Sequence, residues 1–220
     1  MPETLHRYQA RASVQEPYGF LSYGRNPGVP GRKRPPNEKL SRFRDLLSEH
    51  LGELTDLDGG VEAVYFDQRI PLGEGWEGDL KRQLARCQVL VPVLSPRLFT
   101  SKWCAVEWEC FERRQQLQRE RGTFTRNAIV PVLWTPLRRD QIPPPYCDVQ
   151  YTHEDLNPDY FDLGLLGLHN RGRHKVFNEV AYQLAEKIVE VALSARLEPC
   201  DPGTFDDLFD SVHGSAEEEK

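Results

Sequence analysis

The chain has 220 residues, 39% of them hydrophobic, which is enough for one full domain with appendages. Its net charge is −6, and residues 201–220 carry the whole excess, with seven acidic groups against Lys220, so residues 1–200 are neutral overall. Because nucleic-acid-binding proteins usually present a basic face, the composition excludes general nucleic-acid binding.

The apolar runs and the cysteines exclude further classes of protein. The longest apolar run, at 89–94, is far shorter than the roughly 20 residues of a membrane helix, and residues 1–10 lack the apolar core of a signal peptide. The five cysteines are odd in number and contain no CxxC pair, which argues against a disulfide framework and a zinc ribbon. We therefore expect a soluble, cytoplasmic protein with no membrane segment and no metal site.

The first third of the chain contains a strand, a loop and a helix. Residues 1–16 are polar and unpatterned, which predicts a disordered N-terminal segment. The aromatic-rich run at 18–23 predicts a strand, and a Pro/Gly loop follows at 24–36. A helix is predicted over 37–51, with Asn37 as its cap. One face of this helix carries Leu40, Phe43, Leu47 and Leu51.

Strands and helices continue to alternate in the rest of the chain. A second strand is predicted at 61–67, and Trp76, Leu80 and Leu84 begin a second helix that ends near Cys87. The run at 88–95 is apolar on both faces, as in a central parallel strand. Further strands are predicted at 127–134 and, as a short fifth, at 148–152. A long closing helix over 175–197 aligns Val176, Val180, Leu184, Ile188 and Val191.

This alternation predicts an α/β fold, a flavodoxin-like three-layer sandwich with a central parallel five-stranded sheet. Ligands of such folds bind beyond the carboxyl ends of the strands, near the point where the strand order reverses. The first three strand-to-helix connections, at 24–36, 68–75 and 95–103, are therefore expected at one edge of the sheet.

The helix expected after Ser101 carries a carboxylate in an unexpected position. Cys104, Trp108 and Phe111 repeat at three- and four-residue spacing and form its buried stripe, and Glu107 falls within that stripe. A carboxylate that faces apolar neighbours is costly unless it finds donors, a counter-ion or a cleft. Glu107 is therefore a candidate site residue. A buried glutamate satisfied by an arginine or by backbone amides is the alternative.

The glycine-rich segment GEGWEG at 73–78 matches the G-x-G-x-x-G dinucleotide fingerprint in its letters. We reject this interpretation because residues 68–72 separate the segment from the preceding strand, whereas the fingerprint glycines leave the strand directly. Glu74 would also lie against the phosphates. The segment is instead predicted to be a glycine hinge in a long loop.

Three segments resemble the Toll/interleukin-1 receptor (TIR) domain family over residues 17–196. FLSY resembles the first-strand box, FDQRIPLGEGW the BB loop, and SKWCAVE the S-x-W-C-x-x-E signature. Within the family, the chain is most similar to bacterial TIR-like proteins encoded in FxSxx-COOH peptide maturation clusters. The PYGFLSY start and the GLLGLHNRGRHKVFNEVAYQLAEKIVEVA ending indicate this subfamily.

The resemblance implies an activity and a catalytic residue. Enzymatic TIR domains cleave the nicotinamide–ribose bond of NAD+, and the catalytic glutamate of their signature falls on Glu107, the residue that periodicity singles out. NAD+ would then be a substrate, and no cofactor is implied. The signature tryptophan falls on Trp103, one helical turn away, where it can stack on a flat ring.

The resemblance also assigns further residues to substrate binding and to the BB loop. The substrate-binding residues would be Phe20, Ser22, Arg25 and Arg69, together with Trp103. The BB loop would include Asp67, Pro71, Gly73, Gly75 and Trp76. Phe20 also suits plain core, and the arginine that family enzymes carry directly after the first-strand aromatic residue is displaced here by Gly24.

Two functions follow from the resemblance. The first is an NAD+ glycohydrolase activated by TIR–TIR self-association through the BB loop. The second is a non-catalytic adaptor or scaffold that binds partners through the same loop. A phosphoacceptor domain on this fold is disfavoured, because the strand ends read FLSYG and VLSP and lack the aspartates that such a domain needs.

Cys104 and the C-terminal tail each have two interpretations. A cysteine near a helix N-terminus can be a nucleophile, but Cys104 lies on the apolar stripe and occupies a structural position of the family, which favours packing. Residues 197–220 form an acidic tail in which 205–212 has the spacing of a short amphipathic helix. This motif binds a protein partner or docks on its own domain.

Overall fold

A computed structural model of the chain describes residues 17–28, 37–57, 62–66, 75–149 and 156–217. In these ranges four parallel strands form one sheet in the order β2-β1-β3-β4. The strands are β1 (Gly19–Tyr23), β2 (Val64–Tyr65), β3 (Val89–Leu94) and β4 (Val132–Leu133).

Helices precede and follow these strands along the chain. They are α1 (Glu38–Leu54), α2 (Trp76–Arg86), α3 (Pro96–Phe99), α4 (Lys102–Glu120), α5 (Pro158–Asn170), α6 (His174–Ala195) and α7 (Asp206–Glu217). Short 3-10 turns occur at Arg139–Gln141, Tyr146–Asp148 and Pro202–Phe205. None of the described helices combines the length and the apolar character needed to cross a membrane.

The centre of the sheet is the pairing of β1 with β3. The two strands run in register from Gly19 beside Val89 to Tyr23 beside Val93, and every residue in both strands is buried. Strands buried on both faces need apolar residues at successive positions, which is the pattern that the sequence shows. The predicted parallel α/β sheet is confirmed.

The predicted fifth strand at 148–152 is not confirmed. Asp148 ends a 3-10 turn, and residues 150–152 lie outside the described ranges. The four strands are consistent with a flavodoxin-like fold. The predicted disordered segment at 1–16 also lies outside the described residues.

Helix α1 shows where one prediction holds and another fails. Its buried residues are the four predicted from periodicity, Leu40, Phe43, Leu47 and Leu51. Asn37 does precede the helix, but its backbone is left-handed with a φ of 68° and its side chain makes no cap hydrogen bond. The Asn37 side-chain oxygen instead accepts a hydrogen bond from the Asn26 N–H, at 3.2 Å. Asn37 therefore occupies the predicted cap position but does not cap the helix through its side chain.

The helices pack in two groups around the sheet. Helix α6 contacts α1, α5 and β3. Helix α4 contacts α2, α7 and β1. Because the tail covers α4, this helix buries more than its predicted stripe, including Val106, Cys110 and Arg114.

The acidic tail docks on its own domain. Phe205 and Phe209 are fully buried, and the Lys81 ammonium lies 4.8 Å from the centre of the Phe209 ring. Lys81 also pairs with Asp206, at 2.8 Å. Of the two interpretations of residues 205–212, the structure shows docking within the chain.

Replacing Phe209 with Ala is expected to lower the free energy of unfolding by about 3–5 kcal/mol, since truncating a buried phenylalanine removes apolar contact and leaves a cavity. Urea unfolding followed by tryptophan fluorescence measures this loss, because the Phe209 ring lies against Trp103. Leu208→Ala, at a partly exposed position of the same helix, is the control and should cost less. Equal losses in the two variants would contradict the docking.

Candidate active site

The carboxyl ends of β1 and β3 lie at the topological switch point of the sheet. Strand β2 lies on one side of β1 and β3 on the other, so the connections that leave β1 and β3 run in opposite directions. In open α/β sheets the crevice for ligands forms at this point, beyond the carboxyl ends of the strands. Tyr23, which ends β1, and Ser95, which follows β3, mark this edge.

Two serine caps fix the connection from β3 to α4. The Ser95 hydroxyl oxygen accepts a hydrogen bond from the Leu98 N–H at 3.3 Å and caps α3. The Ser101 hydroxyl oxygen accepts one from the Cys104 N–H, also at 3.3 Å, and confirms the predicted N-cap. Both serines satisfy N–H groups that have no partner within their helix. As a result, the first two turns of α4 lie beside the end of β1.

Glu107 is buried and hydrogen-bonded to β1. Only 8% of its surface is exposed, and the Ser22 hydroxyl donates to Glu107 Oε2 at 2.5 Å. A hydroxyl that donates to a carboxylate at this distance makes a short, charge-assisted hydrogen bond. Ser22 thus holds one carboxylate oxygen in place.

A cavity of about 290 Å³ opens beside Glu107. Its walls include Trp76 and Trp103, whose ring centres lie 4.7 Å apart at an interplanar angle of 81°. The ring of Phe209, in the tail, packs against the Trp103 ring, with 5.8 Å between the ring centres. A buried carboxylate that borders a cavity with aromatic side chains in its wall is the arrangement expected of a small-molecule site.

The structure brings several of the predicted site residues together. Arg25, Trp76 and Trp103 line the cavity with Glu107, and Ser22 contacts Glu107 directly. Phe20 is not among the lining residues: it is 1% exposed and stacks on Tyr65 at 5.2 Å, which places it in the core.

The predicted BB loop lies mostly outside the described residues. Asp67, Arg69, Pro71 and Gly73 fall in the undescribed range 67–74. Gly75 is described and precedes α2 with a φ of 100°, a left-handed conformation that glycine adopts without strain.

Close packing accounts for Gly24 at the position directly after β1, where family enzymes carry an arginine. A Cβ atom at this position would lie 2.4 Å from the Arg97 carbonyl carbon and 2.5 Å from the Leu98 nitrogen. Because these are backbone atoms, only glycine fits. Arg25 follows one residue later and still lines the cavity that Glu107 borders.

Comparison with known proteins assigns the family. The family model described as TIR domain matches residues 46–163, more than half of the chain. The chain belongs to the TIR domain family. The matched range contains Trp103 and Glu107, whereas β1, with Ser22, precedes it. No curated protein matches the chain.

Several residues that line the cavity of this TIR domain are absent from the predicted site. They include Leu21, Tyr23, Arg97, Thr100 and Ser101. Tyr23 is the last residue of β1, and Arg97 lies in α3, directly after β3. Position at the carboxyl end of a strand is the signal that would have identified Tyr23 and Arg97.

Cys104 has the properties of a packing residue in this TIR domain. It is 2% exposed. Burial first, and then the Glu107 carboxylate, raise the pKa of the Cys104 thiol from 9.0 to about 12, whereas Arg25 acts in the opposite direction. Because the thiolate is the nucleophilic form, a thiol that stays neutral near pH 7 is poorly suited to attack.

The stability of this TIR domain is expected to fall above pH 9, in part through Cys104. Below pH 9 the thiol is neutral in both folded and unfolded chains. Between pH 9 and about 12 it ionises only in the unfolded chain, which favours unfolding by up to about 1.4 kcal/mol per pH unit. Urea midpoints at pH 8, 9 and 10 should decline less steeply in Cys104→Ala. An unchanged slope in this variant would contradict the raised pKa.

Proposed function

We propose that this TIR domain is an NAD+ glycohydrolase in which Glu107 is the catalytic residue. The observation that carries the proposal is the buried Glu107 carboxylate, which is hydrogen-bonded by Ser22 and borders a cavity at the switch point of the sheet. The reaction cleaves the bond between nicotinamide and ribose, and water takes the place of the departing base.

The carboxylate suits this chemistry in two ways. Its oxygens can accept hydrogen bonds from the ribose hydroxyls and so orient the sugar. As nicotinamide leaves, positive charge of the oxocarbenium type develops on the ribose, and a nearby fixed negative charge stabilises it. Such stabilisation is strongest where water is largely excluded, and Glu107 is only 8% exposed.

The cavity walls suit the nicotinamide ring of the substrate and the phosphate next to its ribose. Trp76 and Trp103 offer aromatic surface to the flat nicotinamide ring. Arg25 is exposed at the cavity, where its guanidinium can bind a phosphate of the substrate. We include self-association in the proposal, because TIR domains commonly assemble with one another and the predicted BB loop ends at Trp76, which lines the cavity.

A non-catalytic adaptor is the second candidate, and one observation favours it. The Trp103 ring is already in contact with Trp76 and with Phe209 of the tail, so part of the aromatic surface is occupied within the chain. On this alternative, the cavity is a remnant of the family site and the protein acts by binding partners.

Nicotinamide release from NAD+ distinguishes the two functions. The purified 220-residue chain is incubated at a range of protein concentrations with NAD+, with and without a crowding agent, and free nicotinamide is quantified by chromatography. We expect release that increases more steeply than protein concentration, because self-association contributes. No release at the highest concentration under crowding would overturn the proposal and favour the adaptor.

A further inference from the structure

A second, larger cavity adjoins the one beside Glu107. It measures about 570 Å³, and Tyr23 and Arg97 line both cavities. The two residues therefore form a partition at the carboxyl ends of β1 and β3. Beyond the partition, the larger cavity is bounded by the start of α1, the segment after β4, and α5.

The cavity volumes limit what each can hold. Small-molecule sites usually measure about 300–1000 Å³, and the cavity beside Glu107, at about 290 Å³, is at the lower end of this range. A dinucleotide consists of two nucleosides joined by a pyrophosphate. If one nucleoside fills the smaller cavity, the other can extend past the partition into the cavity of about 570 Å³.

We propose that the larger cavity binds the adenosine half of the dinucleotide and that Arg97 binds the pyrophosphate between the two halves. This inference rests on the proposed function and names a further part of the same substrate site. It assigns to this chain a binding surface that the resemblance to the family does not include.

Arg97 has the position and the chemistry for a pyrophosphate. Its side chain is exposed, and it forms no ion pair with any residue in the described part of the chain. Its backbone is packed against Gly24, which fixes the base of the side chain at the partition. A guanidinium binds phosphate oxygens through paired hydrogen bonds.

The larger cavity has groups that suit an adenosine. Trp134 is half-buried in its wall and offers a flat surface on which a base can stack. The Thr135 hydroxyl oxygen is shielded from solvent and has no hydrogen-bond partner among the described residues, so a ligand group can supply one. Lys39, which hydrogen-bonds to Asn170, also lines the cavity. Its positive charge offsets the negative charge of the neighbouring Glu38.

Calorimetric titration with ADP-ribose, ADP and nicotinamide tests the inference. Arg97→Gln is expected to weaken ADP-ribose and ADP binding by about 10- to 100-fold, the effect of losing hydrogen bonds to a charged group. Trp134→Ala should weaken the same two ligands, and nicotinamide binding should stay unchanged in both variants. Arg126→Gln is the matched control, because Arg126 precedes β4 and lies away from the carboxyl ends of the strands. This variant should bind all three ligands with wild-type affinity.

Three outcomes would overturn the inference. They are wild-type affinity for ADP-ribose in Arg97→Gln, no ADP binding to the wild type, and ADP binding that does not compete with NAD+. The last result would show that the cavity takes a free nucleotide instead of the substrate. Since ADP binding needs no cleavage, it remains measurable if Glu107 proves inactive. NAD+ cleavage without ADP binding would overturn this inference alone.

Discussion

Replacing Glu107 with Gln is expected to lower nicotinamide release by at least about 100-fold, the scale seen when one preorganised electrostatic group is lost from an active site. Glutamine has nearly the same shape, and its amide oxygen can still accept the hydrogen bond from the Ser22 hydroxyl. The substitution therefore removes the negative charge and leaves the packing in place. Initial rates of release at saturating NAD+ measure the effect.

Glu109→Gln is the matched control for this experiment. Glu109 lies two residues further along α4, is exposed, and does not line the cavity. It should retain wild-type release and show that loss of one negative charge from the helix is not sufficient. Thermal unfolding of both variants checks the fold. Full release by a folded Glu107→Gln protein would remove Glu107 from the catalytic role.

Replacing Arg114 with Ala is expected to lower the free energy of unfolding by about 4 kcal/mol or more. Arg114 is 1% exposed and donates to the carbonyl oxygens of Leu84 and Cys87 at 2.8 and 2.7 Å. It also donates to the carbonyl oxygens of Glu198 and Leu197 at 3.0 and 3.2 Å. Its loss leaves buried carbonyl groups without these donors and opens a cavity, and both effects destabilise the folded state.

The neighbouring Arg113 provides the comparison for Arg114. Arg113 is partly exposed and pairs with Asp207, whose side chain is 68% exposed, so Arg113→Ala should cost only about 1 kcal/mol. Urea unfolding of the two variants under the same conditions measures the difference. Equal losses would mean that Arg114 does not hold the segment after α6 to the end of α2. If Arg114→Ala is too unstable to purify, Arg114→Lys retains the charge with fewer donors and should be intermediate.

Much of the fold and the centre of the site follow from local sequence patterns. The buried faces of α1 and the buried strands β1 and β3 each have an apolar period that matches the observed element. Glu107 is identified in the same way, because a carboxylate on an apolar stripe breaks the pattern that surrounds it. These features depend on neighbours in sequence, which a single chain displays.

Features that depend on distant contacts are not predicted, or, like the docking of the tail, are predicted only as one of two alternatives. Helix α5 contains Gly164 and Gly167, which lower helix propensity, and it kinks at Gly164. The docking of Phe209 depends on Lys81 and Trp103, which are more than a hundred residues away. The Asn37 side chain accepts a hydrogen bond from the Asn26 N–H in the preceding loop and does not cap α1. The partition that Tyr23 and Arg97 form likewise depends on the carboxyl ends of β1 and β3 lying side by side.

The hydrogen bond from Ser22 to Glu107 also limits when the site can form during folding. It joins residues 85 positions apart, and Ser22 reaches its place only when β1 pairs with β3. Such non-local parallel pairing forms slowly compared with a helix, because the long intervening chain must first be ordered. A partly synthesised chain that ends before α4 has a first strand but no carboxylate to receive its serine. The candidate site therefore cannot form on that partial chain and requires the paired strands together with α4.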